Sequence, residues 1–94
     1  MAEKLTSDDV RNRLKSLDDW SLEDGKLRRD FKFPDFVRAF GFMTSAAIEA
    51  EKLNHHPEWS NVYNKVTVHL VTHEAKGITE LDFRLATKLD ALAR

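Results

Sequence analysis

The apolar positions of this chain alternate between two periods. In "TSDDVRNRLKSL", Val10, Leu14 and Leu17 recur three to four residues apart, which predicts a first helix. Ser7 is its expected N-cap, with Asp8 and Asp9 at its positive end. The period then shortens to two. Leu27, Phe31 and Phe33 share one parity, and Asp24-Gly25 separates the runs 20–23 and 26–33, as a β-hairpin requires. "PDFVRAFGFMTSAAIEAEKLNHH" is the longest helical pattern, a helix expected over 34–53 with Pro34 in its first turn and a stop before Pro57. A second hairpin follows, with strands at 59–63 and 65–72 and the turn near Asn64. A last helix is announced by Gly77 and capped by Thr79, with Asp82 three residues on in a capping-box position. Ile78, Leu81, Leu85, Leu89 and Leu92 form its apolar stripe.

The element order is therefore α-β-β-α-β-β-α. Two hairpins separated by a helix imply an α+β fold: a four-stranded antiparallel sheet with three helices packed on one face. No repeat, linker or low-complexity tract interrupts the pattern, so residues 1–94 read as one domain.

The central helix has an unusual surface. Phe36, Phe40, Met43, Ala47 and Ala50 lie along one side, widened by Val37, Ala46 and Ile48. At about 100° per residue, Arg38, Ser45, Glu49 and Lys52 gather opposite, and Phe42 falls among them. An aromatic on the polar side of a helix that is almost encircled by apolar groups predicts a subunit interface, with Phe42 in it.

Charge and composition remove several functions. A net charge of −1 from 15 basic and 16 acidic residues gives no electrostatic grip on nucleic acid or on an anionic membrane. No signal peptide or apolar run of membrane-spanning length is visible, and the absence of cysteine excludes disulfide and thiol chemistry. A cytoplasmic protein is expected.

What remains is four histidines. Glu51 and His55 stand four apart, a spacing that zinc sites use, but adjacent His55 and His56 would diverge by about 100° on a helix. His69 and His73 would stand about 13 Å apart on a strand, so neither pair chelates one ion by itself. Proton transfer suits the set better, because imidazole both gives and takes a proton near neutrality. His55 and His56 end the long helix and His73 ends the fourth strand, so three imidazoles can meet at one cleft. Glu51, one turn before His55, is placed to hold its ring. Read singly, His56 suits the negative end of its helix, His69 a packing role within its strand, and Asp82 a simple cap.

The same residues resemble the pterin-4a-carbinolamine dehydratases. "EAEKLNHHPEWSNVYNKV" and "THEAKGITELD" carry the likeness through Glu51, His55, His56, Pro57, Tyr63, Thr72, His73, Glu74, Gly77, Thr79 and Asp82. It extends back through "FKFPDFVRAFGFMTSAA", leaving only the first helix less distinctive. The resemblance implies the fold just described. It also implies an enzyme that dehydrates 4a-hydroxytetrahydropterin to quinonoid dihydropterin, recycling the cofactor of aromatic amino-acid hydroxylases. That chemistry uses no metal and no bound cofactor, because the pterin is the substrate. Carried over, His55 and His73 do acid/base work, and His56 binds and orients the pterin. Pro57, Thr72, His73, Glu74 and Ala75 contribute to binding, and Glu51 and Asp82 support the histidines. Asn54 and Ala75 depart from the animal pattern, which has an aspartate and a cysteine there, yet neither change removes a proton carrier.

The family resemblance also implies partners: a homodimer or homotetramer through the 34–53 helix, or the dimerisation helices of a homeodomain transcription factor on the same surface. An inert scaffold and a metal-binding module are the weaker alternatives, since a scaffold has no use for Glu51, His55, His56 and His73 together.

Overall fold

The computed structural model describes residues 2–94. Its elements run α1 (Ser7–Leu14), β1 (Ser21–Glu23), β2 (Lys26–Lys32), α2 (Phe36–Leu53), β3 (Glu58–Val62), β4 (Lys65–Leu70) and α3 (Glu80–Ala93), with a 3-10 turn at His73–Ala75. The strands form one antiparallel sheet in the order β1-β2-β4-β3. The α+β class and element order predicted from periodicity are those observed. The β1–β2 hairpin turns on Asp24 and Gly25, whose φ angles of 53° and 76° are both positive, as this tight turn demands.

Alternation along the strands divides the sheet into two faces. Leu27 and Phe31 of β2 and Val66, Val68 and Leu70 of β4 are fully buried against the helices. The opposite face carries Glu23, Lys26, Arg28, Glu58 and His69, linked by ion pairs. On the covered face, α2 packs against α3 and against β4. Ala39, Ala46 and Ala50 have no more than 1% exposure, so their small side chains let α2 approach closely. From α3, Leu85, Ala86 and Leu89 complete the core, and Val10 and Leu17 bring the N-terminal segment into it. Each large side chain so buried contributes about 1.5–3 kcal/mol.

Phe42 belongs to this core and not to an interface. It retains 6% exposure and lies between Phe31 and Phe33, at ring-centroid distances of 4.7 and 5.0 Å. The expectation of Phe42 at a subunit contact is thus overturned. The apolar side read from the sequence is largely the outer one: Phe36, Val37, Phe40 and Ile48 are all about half exposed or more. Hydrophobicity alone could not orient a helix that is apolar on both sides.

Smaller differences have local causes. Thr6, not Ser7, caps α1, its hydroxyl accepting from the Asp9 N–H at 3.1 Å. Pro34 precedes the α2 cap, Asp35, whose carboxylate accepts from the Arg38 N–H at 2.7 Å. α2 ends at Leu53 because Asn54 adopts a left-handed conformation, φ 49° and ψ 44°. Strand β4 ends at Leu70, since Thr72 pairs with Gly77 to close the short loop that carries His73.

Candidate active site

The left-handed turn at Asn54 is the first determinant of the site. It takes the chain out of α2 before the histidines, so His55 and His56 are not on a helix and the four-residue spacing from Glu51 no longer applies. The His55 N–H donates back to Ala50 O at 3.0 Å, which anchors the exit. The two imidazoles then leave in different directions, each toward its own carboxylate.

His55 is buried, and its Nε2 lies 2.5 Å from Asp82 Oδ1. Asp82 is completely buried at the start of α3. Its second oxygen accepts the Thr79 N–H and the Thr72 hydroxyl, both at 2.9 Å. The Thr72 and Thr79 hydroxyls are themselves 2.7 Å apart. One side chain therefore closes the predicted capping box with Oδ2 and holds a histidine with Oδ1. Burial without these partners would cost several kcal/mol, on the order of 2–7 for a polar group alone. With a carboxylate at Nε2, neutral His55 carries its proton there and keeps Nδ1 free to exchange one.

His56 is exposed, with Nε2 2.5 Å from Glu51 Oε1. His73 is also exposed, with Nε2 2.9 Å from Glu58 Oε2. The Glu58 carboxyl is held below the usual carboxylate range, first by its hydrogen bond to Lys26 and also by His73. A cleft of about 250 Å³ is lined by Asn54, His55, His56, Val71, His73 and Glu74. It brings together the α2 exit, the end of β4 and the 3-10 turn. Three imidazoles bordering one cleft can supply both an acid and a base to a single small molecule. Among the described residues, no group of three or more histidine, aspartate or glutamate side chains is arranged to hold a metal ion.

Comparison with known proteins gives this constellation its context. Residues 3–92 match the family described as pterin 4 alpha carbinolamine dehydratase. The chain belongs to that family. It is a family of hydro-lyases, and the pterin carbinolamine dehydratase resemblance read from "HHPEW" and "THE" holds over nearly the whole chain. A protein of Solibacter usitatus bearing the pterin-4-alpha-carbinolamine dehydratase name is 55% identical over 93 residues, 99% of this chain and 98% of its own. One of Brucella ovis with the same name is 51% identical, covering 96% and 95%. The crystal structure of a transcriptional coactivator/pterin dehydratase from Brucella melitensis superposes with a TM-score of 0.94 at 50% identity, covering 98% of this chain and all of that one.

Within this dehydratase fold the sequence-selected residues are distributed unevenly. His55, His56, His73 and Glu74 border the cleft. Glu51 reaches His56 and not His55, whose carboxylate is Asp82. Thr72 is buried and its hydroxyl serves Asp82 and Thr79, while Pro57 and Ala75 lie outside the lining. Tyr63 stands beyond the other end of β3 from Glu58, at the hairpin turn, where its φ is 51°. His69 is on the open sheet face, 2.9 Å from Glu23. Its hydrogen bond is the first cause of the lowered Glu23 carboxyl. Sequence reasoning missed Asn54 and Val71 as lining residues and passed over Glu58. The signal for Glu58 was its position directly after His-His-Pro, on the outward parity of an edge strand.

Proposed function

We propose that the cleft dehydrates 4a-hydroxytetrahydropterin to quinonoid dihydropterin and water by histidine acid/base catalysis. The observation that carries this reading is the convergence of His55, His56 and His73 on one cleft, each paired with a carboxylate. The N5–H bond breaks and its electron pair forms the N5=C4a double bond. The C4a–O bond breaks with its pair on oxygen, which takes a proton and leaves as water. One group must accept the N5 proton and another must donate to the hydroxyl. His55 and His73 divide these two transfers, and His56, held by Glu51, orients the ring. The pterin is the substrate, and the reaction returns the tetrahydropterin cofactor of aromatic amino-acid hydroxylases to its redox cycle. The absence of cysteine is compatible with the reducing cytoplasm, where we place the reaction.

The direct test follows quinonoid dihydropterin absorbance with 4a-hydroxytetrahydropterin generated in situ by a hydroxylase. The parent accelerates dehydration, and His55→Ala and His73→Ala each lower kcat by about 100-fold or more. A double variant that keeps the parent rate would remove both residues from the chemistry.

A second reading concerns α2. Its outer face presents Phe36, Val37, Phe40 and Ile48 to solvent along most of the helix, an apolar stripe of the kind that self-associating helices bury. We infer that this face, in place of Phe42, joins copies of the chain into a dimer or tetramer. The name of the Brucella melitensis structure, transcriptional coactivator/pterin dehydratase, supports keeping a transcription factor's helices as the alternative occupant. Light scattering tests self-association: Phe40→Glu lowers the molecular mass of an assembled parent, and an unchanged mass refutes self-association through α2.

A further inference from the structure

Glu58 is the first residue of the edge strand β3, beside the cleft but not lining it. Its two carboxylate oxygens are divided between two partners. Oε1 accepts from Lys26 Nζ at 2.6 Å, and Oε2 lies 2.9 Å from His73 Nε2. Lys26 opens β2, and β4 lies between β2 and β3 in the sheet. The Lys26–Glu58 link therefore spans β4 on the sheet face away from the helices. His69, the cross-strand partner of Glu58, turns to Glu23 and does not compete for it.

We propose that Glu58 is a positioning residue for His73, with Lys26 locking the carboxylate in place. This rests on the reading of His73 as a proton carrier. His73 sits in a three-residue 3-10 turn with its side chain 72% exposed, so burial does little to hold its ring. An imidazole free to change rotamer spends little time in a geometry suited to reaction. A carboxylate 2.9 Å from Nε2 favours one ring orientation, with Nδ1 left for the pterin. The lock on Glu58 matters because a carboxylate with one partner could swing away with the ring. Lys26 keeps the second oxygen fixed at 2.6 Å. Thus His55 is fixed by a buried acid, and His73 by an acid that a lysine on a neighbouring strand anchors.

The test is a double-mutant cycle on kcat with 4a-hydroxytetrahydropterin generated in situ. Glu58→Gln lowers kcat by about tenfold with KM within about twofold of the parent. In a His73→Ala background the same substitution has no further effect, because the ring through which it acts is gone. Lys26→Met gives a smaller loss that vanishes when Glu58 is already glutamine. A partly unfolded variant would lose activity equally in both backgrounds, so the cycle separates positioning from folding. Glu58→Gln at the parent rate, while His73→Ala is crippled, overturns the role of Glu58 and leaves the cleft's chemistry standing. An equal loss in both backgrounds overturns it as well. His73→Ala at the parent rate removes the proton-carrier reading itself, and the positioning role falls with it.

Discussion

At the scale of single residues, the decisive feature is the division of labour within Asp82. One oxygen completes a helix cap and the other holds His55, so the start of α3 and the orientation of a catalytic candidate depend on the same carboxylate. Asp82→Asn tests this without removing the side chain. Its carboxamide oxygen can still accept from Thr79 and Thr72, which turns its NH₂ toward His55 and forces the opposite tautomer. The variant remains folded but loses about 100-fold or more in kcat, and ¹⁵N NMR finds the His55 proton on Nδ1. A proton still on Nε2 with undiminished turnover would sink the proposed role. Acid titration probes the half-buried carboxylates of the open sheet face. Glu23, held below the usual range mainly by His69, and Glu58, held there mainly by Lys26, have depressed folded-state pKa values relative to 4.5. Their contribution to stability is present above that value and is lost as pH falls through the lower folded-state values. The parent's thermal midpoint therefore drops more steeply below about pH 4.5 than that of a Glu23→Gln, Glu58→Gln double variant. Parallel curves would show that these pairs do not couple to folding.

At the scale of elements, the junction between α2 and β3 governs the site. Asn54 ends the helix in a left-handed conformation, a position where glycine and asparagine are favoured. Continuing the helix through it would have placed His55 one turn above Glu51, as the spacing in the sequence suggested. The break changes the phase and sends His55 to Asp82 instead. Asn54→Gly should leave stability within a few tenths of a kcal/mol, whereas Asn54→Val should cost about 1–2 kcal/mol. Urea unfolding measures both. Equal stability of the two variants would mean that the turn is not set by the left-handed residue. The α2 exit and the end of β4 were legible as element termini, because Pro57 and the β-branched run up to Thr72 mark them in the chain, whereas the 3-10 turn at His73–Ala75 was not predicted. Their pairing was not legible, since it depends on how termini from distant segments meet.

For the whole molecule, the orientation of α2 decides which aromatic groups form core and which form surface. Phe42→Ala removes a ring packed between Phe31 and Phe33 and should destabilise the chain by about 3–5 kcal/mol. Phe40→Ala, on the outer face, should cost under about 1 kcal/mol in the monomer. Denaturant unfolding at a concentration where any assembly has dissociated distinguishes them, and equal losses would contradict the observed packing. The same orientation leaves Phe36, Val37, Phe40 and Ile48 on the outer side, so the helix can support the fold and an assembly with different faces.

Local pattern was sufficient for the elements, the Asp24-Gly25 hairpin, the α3 capping box and the α+β class, because periodicity and turn chemistry act over a few residues. The histidine doublet and His73 were also identifiable as a set, since Pro57 and the end of β4 bring them to element boundaries. Tertiary structure alone decided that Phe42 faces inward, for a helix apolar on both sides can dock either way until the alanine row and the Phe31–Phe33 gap select one. It alone assigned Asp82 to His55, Glu51 to His56 and Glu58 to His73. A carboxylate finds its imidazole by distance in space, and separations of 27 and 15 residues along the chain carry no record of that distance.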